Sequence, residues 1–281
     1  MKDLINLEKI TNMKNLIIFI CLVVSTFVYA QDLKDISYTT NTDAYAQERC
    51  KLDIYNVNKN KKLKPAFVWF HGGGITAGDK KFFPQKLSNK KNGFVLICPN
   101  YRLSPKIKAW EAIDDTAEAV AWVFNNAEKF GIDKTKIFIG GHSAGGYLSG
   151  MIGFAPKYLQ KHNIKNTDLA GLILLSAQVT KHFRVRNDLG DKTDKFIPQI
   201  DELSILGNVQ NKIAPLCIVL GDRRIEWKCR VEENFLLEAT VRALNTSSYT
   251  EIFELQGTTH GSCADGLSTI ATTFIKKITK K

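Results

Sequence analysis

The stretch Ile137–Gly150, "IFIGGHSAGGYLSG", constrains the fold more than any other part of the 281-residue chain. A short apolar run that suits a buried strand enters Gly141-His142-Ser143-Ala144-Gly145, and small residues suited to a helix follow. A serine at such a junction sits on a sharp, strained turn, which its glycine neighbours make sterically possible. Its hydroxyl then projects from the top of a sheet, with the positive end of a helix behind it. Ser143 is therefore the candidate nucleophile. A bare G-x-S-x-G is common by chance, whereas one framed by a buried strand and a helix is specific.

The rest of the chain supplies the sheet that such a turn needs. Strand patterns recur at Lys51–Tyr55, Pro65–Phe70, Gly93–Pro99, Ala170–Ser176, Pro215–Gly221 and Tyr249–Leu255, most of them apolar runs. Between them, Ala112–Phe130 carries Ile113, Ala117, Val120, Ala121 and Phe124 at helical spacing, with Gly131 placed to end the helix. Strands alternating with helices predict an α/β fold with a mostly parallel central sheet and helices on both faces. Sites in such folds form at the carboxyl ends of the strands. Residues 177–211 break the rhythm with a mixed-charge stretch too long for a plain connection, and are expected to form a small cap insertion over the site.

Two further segments converge on the chemistry of Ser143. His71-Gly72-Gly73-Gly74 directly follows a strand, so backbone N–H groups there can face a substrate oxyanion with no side chain intervening. Gly73, Gly74 and Ala144, the residue after the serine, are the candidate donors, and His71 is expected to orient the loop. No Gly-Lys-Ser/Thr follows, which excludes a phosphate loop. The general base must come late in the chain. Of the five histidines, His260 lies directly after the last strand, in "LQGTTHGS".

With these segments in view, the chain resembles an α/β hydrolase of the esterase/lipase type, in the hormone-sensitive-lipase-like and acetyl-xylan/feruloyl-esterase-like branch. The resemblance is carried by "HGGG", "PNYRLSP", "AIDDTAEAVAWVFNNAEKFGID", "GGHSAGGYL", "GDRRIEWKCRVEEN" and "ELQGTTHG". It implies structural roles for the "YRL" residues and Asp115 near the oxyanion loop. It also implies that the triad acid stands three residues after the strand-ending Gly221, where this chain has Arg224. An arginine has no acceptor and cannot take that role. Two carboxylates flank it, Glu226 and the alternative acid Asp222, and Glu226 has the longer reach.

The N-terminus is a separate matter. Lys14 precedes Leu16–Val28, thirteen apolar or small residues, and Val28-Tyr29-Ala30 has small residues where a signal peptidase reads. Residues 1–30 therefore read as a signal peptide cleaved after Ala30, leaving residues 31–281 as one domain that is secreted or periplasmic, with no stable membrane insertion. The formal net charge is +11, and loss of three lysines and two acids with the leader leaves +10. The lysines are scattered and no nucleic-acid-binding signature accompanies them, so no nucleic-acid partner is expected. The cysteine spacing matches no zinc site, and neither metal nor cofactor is called for. Cys229 and Cys263 each lie three residues beyond a candidate triad member. If both loops meet in an oxidising compartment, the two form a disulfide; otherwise they are free thiols.

These readings imply an exported hydrolase of short acyl esters, acetyl or feruloyl in type, carried on a small molecule or on plant polysaccharide. Two alternatives stay open: amide hydrolysis as in kynurenine formamidases, and a non-catalytic binding protein on a hydrolase scaffold, for which Arg224 speaks. The oligomeric state has no signature in the sequence.

Overall fold

A computed structural model describes residues 32–57 and 62–280; the expected signal peptide lies outside the described residues. Among the described residues, eight strands form one sheet: β1 Leu33–Ser37, β2 Lys51–Tyr55, β3 Lys64–Phe70, β4 Val95–Pro99, β5 Ile132–His142, β6 Gly171–Leu175, β7 Leu216–Gly221 and β8 Thr250–Leu255. Their order is β1-β2-β4-β3-β5-β6-β7-β8. The β1–β2 and β2–β4 pairs are antiparallel, and every pair from β4 to β8 is parallel.

The unbroken apolar runs follow from burial on both faces. In β3, Ala66, Val68 and Phe70 enter one core, while Phe67 and Trp69 enter the other. The first core is covered by α2 (Glu111–Asn126), α3 (Ala144–Phe154) and α6 (Arg230–Leu244); the second is covered by α7 (Ala264–Thr279). Leu267, Ala271, Phe274 and Ile275 of α7 recur at helical spacing on its buried side. Phe274 is fully buried and packs edge-on against Phe138, so Phe274→Ala should cost about 3–5 kcal/mol. Shorter helices complete the set: α1 Ala44–Arg49, α4 Lys157–Gln160 and α5 Phe183–Asp188.

Three features depart from the sequence expectation. Strand β1 was not anticipated: it has five largely exposed residues, with Asp35 at φ 55° and a register break between Leu33 and Ile36. Helix α2 stops at Asn126, and a tighter turn, Glu128–Phe130, leads to Gly131 at φ 68°. The strand at the serine turn is eleven residues long, beginning well before the short apolar run that marked it.

Residues 177–211 connect β6 to β7 and contain α5 and a short turn at Leu206–Asn208. One buried arginine organises them. Arg186 donates to Asp191 Oδ2 at 2.6 Å, to the Ile197 carbonyl at 2.6 Å and to the Asp194 carbonyl at 3.1 Å. Carbonyls that regular structure would satisfy are satisfied here by one guanidinium. Among the described residues, no helix is long and apolar enough to cross a membrane.

Candidate active site

The serine turn lies between β5 and α3. Ser143 has φ 54° and ψ −115°, a conformation costing about 1–3 kcal/mol for a non-glycine residue. Its amide donates to the Leu175 carbonyl at 2.8 Å. The glycines are required by contact as well as by the turn. A Cβ on Gly145 would lie 2.1 Å from the Phe70 carbonyl oxygen, and one on Gly141 would lie 2.5 Å from the Gly145 carbonyl carbon. The first turn of α3 is thus pressed against the end of β3, which brings Ser143 beside the glycine loop that follows β3.

That loop holds Gly73 at φ 113° and Gly74 at φ 63°. The amides of Thr76 and Ala77 both donate to the Gly73 carbonyl, each at 3.0 Å, and close the turn. Among the described residues, the amides of Gly73 and Gly74 donate to no backbone carbonyl, and that of Ala144, the first residue of α3, has no acceptor within the helix. His71 lies beneath the loop, stacked on Tyr101 with ring centroids 4.3 Å apart, and Tyr101 Oη donates to the His71 carbonyl at 2.8 Å. Burial lowers the His71 imidazole to about 4, so it is neutral at pH 7. Arg102 forks onto Asp115 at 2.6–3.1 Å and ties this region to α2.

His260 lies in the loop after β8, its ring 4.7 Å from that of His142, the residue before Ser143. Its Nδ1 is 2.7 Å from Glu226 Oε1 and 2.9 Å from Ser176 Oγ. Ser176 donates its single hydroxyl proton to Glu226 Oε2 at 2.9 Å, so toward His260 it can only accept. The Nδ1 proton is therefore shared between a carboxylate and a hydroxyl, which leaves Nε2 with its lone pair free. Glu226 is fully provided for: Oε1 also accepts from the Trp227 amide at 2.8 Å, and Oε2 from the Gly221 amide at 3.2 Å. Burial would raise its carboxyl, but bonds from His260, the Trp227 amide and Ser176 outweigh burial and hold it at about 2.

Asp222 is not brought to His260. Its carboxylate accepts from the Arg224 amide at 3.0 Å, Arg224 Nε at 2.9 Å and the Gly257 amide at 2.8 Å. The Arg224 side chain and these two amides keep it well below the usual carboxylate range. Asp222 therefore fastens the turn that carries Glu226 to the loop that carries His260. Arg224 takes part in that fastening from the surface.

The Cys229–Cys263 bond is absent. Both are free thiols; Cys229 is exposed, whereas Cys263 is buried and donates to the His260 carbonyl at 3.2 Å. The two loops do meet, but Cys263 faces the core under α7.

Three neighbours of His260 were missed in the sequence. Trp227 stacks on its ring at 4.9 Å. His142 donates through Nε2 to the His260 carbonyl at 2.8 Å, and burial lowers its own imidazole to about 4. Ser176, at φ 46°, is the third; a small polar residue ending a buried strand was the signal available for it.

Comparison with known proteins extends this picture. A family model described as BD-FAE matches residues 52–170, which includes the glycine loop and the serine turn. An AB hydrolase superfamily protein of Schizosaccharomyces pombe is 35% identical over 98 residues, covering 31% of this chain and 26% of that protein. Arylacetamide deacetylase of Bos taurus is 31% identical over 113 residues, covering 38% of this chain and 28% of that protein. The chain thus spans roughly a quarter of the length of these relatives. Two solved structures share the fold nearly end to end. A truncated carbohydrate esterase from gut microbiota has a TM-score of 0.74 at 18% identity, with 92% of this chain and 99% of that chain covered. Thermogutta terrifontis esterase 2 has a TM-score of 0.72 at 21% identity, with 88% and 94% covered. Sheet order, serine turn and structural neighbours together show the α/β-hydrolase fold, and in sequence the chain is similar to esterases and hydrolases.

Proposed function

We propose that the chain is a serine carboxylic-ester hydrolase. Ser143 Oγ attacks the ester carbonyl while His260 Nε2 takes its proton, and Glu226 stabilises the imidazolium that results. The amides of Gly73, Gly74 and Ala144 receive the negative charge that develops on the carbonyl oxygen. His260 returns the proton to the departing alcohol, and water then releases the acyl group by the same route. All of these steps use groups of this chain. The observation that carries the proposal is the 2.7 Å contact between His260 Nδ1 and Glu226 Oε1, set against the strained turn of Ser143.

Acetyl or feruloyl-type esters, on small molecules or plant polysaccharide, are the substrate class favoured by the sequence resemblance. The carbohydrate esterase among the structural neighbours supports the polysaccharide half of that reading, and the butyrate-bound Thermogutta esterase supports a short acyl group. Export rests on the apolar leader at residues 16–28. The non-catalytic reading loses its support, because Arg224 is occupied by Asp222 and Glu226 stands at the histidine instead.

Turnover of 4-nitrophenyl acetate tests the proposal. Ser143→Ala should lower kcat by on the order of 10⁴-fold or more while the circular dichroism spectrum stays that of the wild type. A variant keeping a tenth of wild-type turnover would remove Ser143 from the chemistry.

A further inference from the structure

Beside the triad lies a cavity of about 320 Å³. It begins where a bound ester would be held. Trp227, which covers the His260 ring, forms one wall, and Phe183, whose ring passes close to Gly74, forms another. Leu206, Leu236 and Phe196 continue an apolar lining. Arg230 borders the cavity yet is only 5% exposed, and its Nε and Nη1 are sealed from solvent without a hydrogen-bond partner. Its ionic partner is Glu233, with Oε1 3.2 Å from Nη1, and Glu233 is itself engaged by Thr180 Oγ1 at 2.7 Å.

A guanidinium carries five donors, and burying one with most of them idle is unfavourable unless something else completes it. Glu233 balances its charge, so the pair presents donors without net charge. Beside the guanidinium a carboxylate would face the Glu233 anion, whereas the lysines of the lining, Lys195 and Lys228, are exposed to solvent and screened. An uncharged oxygen would not meet that repulsion. We infer that Arg230 is a specificity-determining residue. The cavity takes an apolar arm of the ester, and Arg230 donates to a neutral oxygen, a hydroxyl, ether or carbonyl, carried on that arm. This inference rests on the ester-hydrolase reading of Ser143. The competing possibility is that Arg230 is purely structural and turns to the nearby Asn234, whose buried Oδ1 also lacks a donor.

Three methyl esters separate these possibilities: those of 3-phenylpropanoic acid, 3-(4-hydroxyphenyl)propanoic acid and 3-(4-carboxyphenyl)propanoic acid. For the wild type, kcat/KM should favour the hydroxyl ester over the plain one by about tenfold or more, the worth of one charge-assisted hydrogen bond, with the carboxylate ester last. Arg230→Met should bring the hydroxyl-to-plain ratio close to one, and Arg230→Lys, which keeps the charge without the planar fork, should lie between. A wild-type ratio near one overturns the inference without any variant, so a misfolded Arg230→Met does not protect it. Preference for the carboxylate ester, or a ratio unchanged in Arg230→Met, overturns it too. Wild-type turnover of 4-nitrophenyl acetate, lost in Ser143→Ala, is measured alongside. If that turnover is absent, the ester-hydrolase reading has failed; if it is present while the ratio stays at one, Arg230 alone has been misassigned.

Discussion

The turn at Gly141–Gly145 and the turn at Asp222–Trp227 do comparable work by different physics. Each follows a central parallel strand, β5 or β7, and each delivers a side chain to the same edge of the sheet. The serine turn is set by hard contact: a methyl group at Gly145 would overlap the Phe70 carbonyl at 2.1 Å. The acid turn is set by hydrogen bonds from Arg224 and Gly257 to Asp222, and from Trp227, Gly221 and Ser176 to Glu226. Steric demands admit one residue type at one spacing and so leave a motif. Hydrogen-bonding demands can be met by different acids at different offsets, as Glu226 meets them five residues after Gly221.

Breaking the serine turn should have the largest effect. Gly145→Ala forces α3 away from β3, and activity should fall to background together with a loss of stability of several kcal/mol in urea unfolding. An active, wild-type-like Gly145→Ala would show that the turn has slack and that the contrast is overstated. The acid turn gives a graded test. Glu226→Gln should lower kcat by roughly a hundredfold or more, because the imidazolium loses its counter-charge. Asp222→Asn should leave kcat within a few-fold and lower the melting temperature instead. The reverse ranking would exchange the roles of the two acids.

Acid should separate the two regions in sequence. His142 in the serine turn and His71 under the glycine loop have imidazoles lowered by burial to about 4, and His182 in the cap has one lowered to about 3. Each favours the folded state fully above pH 6.5, and that contribution fades as pH falls toward 4, by at most about 1.4 kcal/mol per pH unit for each histidine. Glu226, lowered from 4.5 to about 2, loses its contribution only as pH falls from 4.5 through 2. Urea midpoints at pH 7.5, 6, 5 and 4 should therefore decline steadily in the wild type and less steeply in His142→Gln. Midpoints independent of pH over that range would contradict the buried, neutral state of these histidines. Ser176→Ala is the mildest test, with an expected five- to tenfold loss of kcat and an altered acid limb of the pH–rate profile. Loss of stability with an unchanged profile would make Ser176 only a packing residue.

What was legible in the sequence divides along the same line. The sheet, its parallel character and the serine turn were readable, because continuous apolar runs and paired glycines are consequences of burial and overlap. The glycine loop after β3 was readable for the same reason. Strand β1 was not, since it is short, exposed and paired through backbone bonds that place little demand on side chains. The sequence left the choice between Asp222 and Glu226 open, because both lie near the strand end and their difference is orientation. Ser176 and Trp227 act through geometry between segments fifty or more residues apart, or between a residue and a loop it covers, and no local pattern encodes either. The sequence left the disulfide open as well, because two loops that converge need not point their Cβ atoms at each other.

The state of the thiols has a practical consequence. Burial pushes Cys50 and Cys263 up to about 12, and Cys98 and Cys217 well above the ordinary thiol value. Thiolate is the reacting species, so these four should ignore alkylating reagents in the native protein. Cys229 is exposed and borders the cavity that contains Arg230. Among the described residues it is thus a single built-in attachment point. A maleimide fluorophore placed there without mutagenesis would stand at the cavity mouth and report on what enters it.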